Sequence, residues 1–133
     1  MTQGVSVAKF LFIGAAIWFG ALLLIRFSGS VVFSTRSLWL PLLFLGSIPG
    51  SWASIKVCLP LGGASLQNAV PAVALMSIAA LLLDGIAFTW FPFAYGNEPQ
   101  AIHLGAAWLL WAVGVFLAVS FLVAQSRKES AGS

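Results

Sequence analysis

Few residues in this chain could move a proton or hold an ion. Its 133 residues include three acids and one histidine, and of these Asp84 alone lies deep inside an apolar stretch. Taking a carboxyl out of water disfavours its charged form, so such a group is a candidate proton or ion site. The competing reading is a structural polar anchor, paired with Arg26 or hydrogen-bonded to a Ser or Trp, that holds helices together. Helical spacing puts Ser77, Ala80, Ala87 and Phe88 beside Asp84, and three of these are small enough for close packing. Arg26, Asp84 and Ser77 therefore form the candidate intramembrane polar site. His103 is a weaker candidate for proton or metal chemistry, set against a plain role as a polar boundary residue. Glu98 reads as a solvated loop acid. Cys58 is a single cysteine, which rules out an internal disulfide and a multi-cysteine metal site; near a membrane end it is a weak lipidation candidate. No metal-ligand cluster, Ser-His-Asp set or phosphate loop is present, so the expectation is a protein without enzymatic activity or cofactor.

The element that must position Asp84 runs from Pro71 to Pro92. A helix rising about 1.5 Å per residue needs about twenty apolar residues to cross a core of roughly 30 Å, and Ala72–Phe91 has that length with one charge. Within lipid a single segment satisfies its backbone groups only as a helix. Asn68 is a suitable N-cap, Pro71 fits the first turn, and Pro92 stops the helix. The cluster from Trp90 to Tyr95 has the aromatic composition of a headgroup-level belt. Asp84 lies eight residues before Pro92, about 12 Å below that belt. An Asp at a helix centre costs on the order of 2.5–3.5 kcal/mol, so it is expected to face other helices or water.

Composition gives the same environment for the whole chain. Hydrophobic residues make up 61% and charged residues 7%, against roughly 25% charged in soluble domains. Net charge is +3, but Lys9, Arg26, Arg36, Lys56, Arg127 and Lys128 are scattered, which argues against nucleic acid and for membrane-topology signals. The pattern predicts one all-α domain over 1–133, a four-helix transmembrane bundle, up-down-up-down with short loops. The spans are expected at 10–32, 38–55, 71–92 and 103–124. A signal peptide ending near Ser28-Gly29-Ser30 is the competing reading of the first. Small residues Gly14, Ala16, Gly20 and Ala21 offer contact surfaces there. Pro49 is expected to kink the second span. Gly46 and Gly50 around it have GxxxG spacing, read as a packing face in preference to a cavity wall. Val57–Gln67 reads as a loop and Gln125–Ser133 as a charged, flexible tail. Trp108 and Trp111 read as anchors or as walls of an apolar pocket. Four spans put both termini on one side, with Lys9, Lys56, Arg127 and Lys128 against Arg26 and Arg36 opposite. That favours cytoplasmic termini.

Arg26 closing the first helix, Leu82-Leu83-Asp84-Gly85 leading to Trp90-Phe91-Pro92, and Trp108-Leu109-Leu110-Trp111-Ala112-Val113-Gly114 resemble a family of small bacterial membrane proteins. That family has four predicted helices and is catalogued only as a domain of unknown function. The resemblance implies a bacterial inner-membrane location and lends no activity. The expected function is a non-enzymatic helix-packing or accessory subunit of a membrane complex. The alternative is a small proton- or cation-coupled transporter or channel using Asp84, which four helices would complete only as an oligomer. The expected partners are the lipid bilayer and either further copies of the chain or a larger complex.

Overall fold

The computed structural model describes residues 5–132. Residues 1–4, Ser133 and the side chains of Ser30 and of residues 127–132 lie outside the described residues. The described residues form a four-helix, all-α bundle without strands, and each helix is long and apolar enough to cross a bilayer. The helices are α1 Val7–Val32, α2 Trp39–Leu61, α3 Ala69–Trp90 and α4 Pro99–Gly132. Short 3-10 turns at Leu66–Asn68 and Pro92–Tyr95 precede and follow α3.

Local chemistry sets the ends. Ser6 caps α1 by accepting the Lys9 N–H at 3.4 Å. Helix α1 runs past Arg26, but Gly29 breaks its regularity at φ +50°, a conformation that glycine adopts without a Cβ penalty. Ile25 and Phe33, on either side of the Ser28-Gly29-Ser30 stretch, are both fully buried in the bundle. Ser37 fastens the first connection, donating to the Val31 carbonyl and accepting the Trp39 N–H. Pro92 does stop α3, which ends at Trp90, and Pro99 opens α4 four residues ahead of His103.

Two expectations about segment ends are corrected. Val57–Gln67 is not all loop: α2 continues through Pro60 to Leu61, where proline costs one hydrogen bond near a helix end that loses such bonds anyway. The turn comes at Gly62 and Gly63, the latter at φ +77°. The stretch after Gln125 is not an irregular tail either, since α4 stays helical to Gly132. No proline or glycine lies between Gln125 and Gly132.

Packing is uneven. Helix α1 lies closely along α3 and α2 along α4, α3 also meets α4, and α2 touches α1 and α3 only sparsely. Gly14 makes the α1–α3 approach possible, because a Cβ there would overlap the Met76 backbone. Buried apolar residues gather in two clusters, one at each end. The first holds Phe10, Ile55, Leu59, Val73 and Met76, with Cys58 buried among them. The second holds Leu22, Ile25, Phe33, Tyr95 and Trp108. Between them, where α2 stands off, the bundle is hollow.

Candidate functional site

The hollow is a cavity of about 300 Å³ with walls from all four helices. Helix α3 contributes Asp84, then Ala80 four residues earlier, then Ser77 and Met76 three and four residues before Ala80, so they share one inward stripe. Facing them, α2 contributes Ser47, Ser51 and Ser54 together with Gly46 and Gly50. Aromatic and aliphatic walls come from Trp18 on α1 and from Trp108, Leu109 and Phe116 on α4.

Asp84 is 7% exposed and is held from above. After Pro92 the chain folds back as a 3-10 turn, and this brings Tyr95 down onto α3. The Tyr95 hydroxyl donates to Asp84 Oδ1 at 2.6 Å, and the Trp18 indole N–H donates to the same hydroxyl at 3.2 Å. Phe88, one helical turn beyond Asp84, stacks on the Tyr95 ring at 3.9 Å between centroids. Tyr95 is itself 1% exposed. Burial, and then the hydrogen bond to Asp84, push its phenol above the ordinary tyrosine range. A neutral Tyr95 is thus a fixed donor roofing the carboxylate, and a Trp–Tyr–Asp chain links α1 to α3.

Arg26 is not the partner of Asp84. Its guanidinium Nη1 donates to the carbonyls of Phe93 at 3.0 Å and Ala94 at 3.3 Å. An exposed Arg reaches carbonyls near the interface more cheaply than it follows a carboxylate inward, because its charge keeps its water. Arg26 therefore positions the turn that carries Tyr95, and acts on Asp84 through it.

Ser77 lies in the cavity wall as its neighbour spacing requires, two turns from Asp84. Its Oγ is buried and makes no hydrogen bond with the described residues. A buried polar atom without a partner costs on the order of 1–3 kcal/mol, which marks this wall as unusual. Ser47 is already engaged, donating to the Leu43 carbonyl and accepting the Trp108 indole N–H at 3.0 Å. Trp108 accordingly does two things, packing α4 against α2 and walling the cavity. Trp111 donates to the Phe44 carbonyl at 2.8 Å on the same seam.

The GxxxG pair serves the other of its two readings. A Cβ at Gly46 or Gly50 would meet no atom within 4 Å, so neither glycine brings another described helix close. They line the cavity instead. His103 is exposed on the first turns of α4. Among the described residues no three His, Cys, Asp or Glu side chains converge. Tyr95, Trp18, Ser51 and Ser54 belong to the site although spacing along α3 did not point to them. Tyr95 did carry a signal, as the chain's one tyrosine placed three residues after a helix-stopping proline. No family model, no curated protein and no solved structure matches this chain.

Proposed function

We propose that this chain is a small multi-pass membrane protein that takes up a proton or cation at Asp84 and works as a transport or channel unit. The observation that carries the reading is the position of Asp84, in the wall of a cavity with a hydroxyl donor above it and with Arg26 bonded to backbone carbonyls instead of to it. A carboxylate neutralised by Arg26 would be a fixed strut, whereas one turned to a cavity is free to exchange its counter-charge. The site is Asp84 with Ser77 beside it; Tyr95 and Arg26 position the carboxylate. His103 lies outside it. Four helices enclose a pocket more readily than a full pathway, so the working form is an oligomer of this chain. The resemblance of the Asp84 and Trp108 segments to small bacterial membrane proteins supports an inner-membrane location, and the distribution of bases supports cytoplasmic termini.

The accessory-subunit reading makes Asp84 a structural anchor, and one experiment separates the two. Wild-type protein and Asp84→Asn are reconstituted in liposomes, and pH-gradient-driven or cation flux is recorded alongside thermal stability in detergent. The transport reading predicts loss of flux in a variant that stays folded. Equal flux from both proteins, or a variant that fails by unfolding, supports the anchor.

A further inference from the structure

We propose that the cavity binds an amphiphilic organic monocation, a protonated or quaternary amine on an aromatic or aliphatic body, that enters sideways from the bilayer between α1 and α2. The inference rests on the reading of Asp84 as a cation site and names the class of cation.

Size comes first. An apolar cavity of about 150 Å³ accepts benzene; this one, at about 300 Å³, accommodates a ring and a cationic head together. Charge comes next. One carboxylate faces the cavity, which matches a single positive charge. A bare metal ion of the calcium or magnesium type takes about six or more oxygen ligands. The wall offers Asp84, whose Oδ1 already accepts from Tyr95, and serine hydroxyls, of which that of Ser47 is already committed. The remaining lining is apolar and aromatic. Trp18 and Trp108 present indole surface to an organic cation, the side chain best suited to cation–π attraction. The buried, unpartnered Ser77 Oγ supplies a polar contact beyond the carboxylate.

The opening supports the route. Ile17 on α1 and Gly46 and Gly50 on α2 line the cavity and are exposed, and the two helices touch only sparsely. The gap lies within two apolar helices, so it faces acyl chains when they span a bilayer. An amphiphile dissolved in the membrane reaches such a gap, while a hydrated inorganic ion does not.

The test is calorimetric titration of the purified full-length protein with benzyltrimethylammonium, with sodium ion and benzyl alcohol as comparators. Saturable binding of the organic cation is expected. It should be weaker by about tenfold or more in Asp84→Asn, the loss of one close charge interaction in a cavity. Ala80→Phe fills the cavity without altering the carboxylate and should abolish binding; it keeps the test decisive where Asp84→Asn does not fold. Benzyl alcohol binding as tightly as the cation would overturn the inference, as would organic-cation binding that survives both substitutions. Asp84-dependent sodium binding without organic-cation binding would sink the inference and leave the cation-site reading standing. Absence of any Asp84-dependent binding or flux would sink both.

Discussion

Tyr95 meets Asp84 as a donor, and its own ionisation reports whether that contact exists. Burial and the bond to Asp84 both disfavour the phenolate. Folding therefore favours the neutral phenol: the contribution to stability is complete below the ordinary tyrosine value of about 10 and is lost as pH rises above it. The chain has one tyrosine, so tyrosinate absorbance follows this group alone. The folded protein should titrate well above the ordinary range and the denatured protein within it; an ordinary midpoint in the folded state would contradict the buried contact. At this scale the sequence was partly legible. An acid in an apolar helix has to find polar company, and spacing identified Ser77 and Ala80 as its neighbours. It did not identify Tyr95 as its donor. That pairing depends on a turn after Pro92 whose carbonyls are held by Arg26 from another helix, and no local rule encodes a contact between residues so far apart in sequence.

Helices are where hydropathy spoke most clearly, because lipid permits few alternatives to a helix and about twenty residues set its length. The four spans followed directly, and so did the stop at Pro92. Their ends were less legible. Pro60 and the glycines after it looked like a loop, yet α2 absorbs Pro60 and turns only at Gly62 and Gly63. Small residues were harder still, since the same residue type serves close packing and open space. Gly14 abuts the Met76 backbone, whereas Gly20, six residues on, has nothing near it. Gly14→Ala should thus lower stability by about 1–3 kcal/mol through overpacking, and Gly20→Ala should be neutral or gain a fraction of that. Thermal unfolding of both variants in one detergent checks the contrast. Equal effects would mean that α1 does not cross α3 at Gly14.

Two apolar clusters with a hollow between them describe the molecule as a whole. The clusters tie the ends of the bundle, and the sparse contacts of α2 with α1 and α3 leave the middle open. A chain built only to pack helices would be expected to close that space, because a cavity forfeits dispersion contacts on every side. Here the space is bordered by serines and by Asp84, the one buried acid among the described residues. Four helices that all cross a bilayer put both termini on one face of it. With the bases arranged as they are, a fluorescent-protein fusion at the C-terminus should glow and an alkaline-phosphatase fusion there should be inactive; the reverse pair would invert the proposed orientation.

Infrared difference spectroscopy on the protein in membranes addresses Asp84 most directly. Spectra recorded across a pH change should contain a carboxyl band that disappears in Asp84→Asn and shifts in Tyr95→Phe, where the donor is lost. A difference spectrum that is the same in wild type and Asp84→Asn would contradict an exchangeable carboxyl at this position.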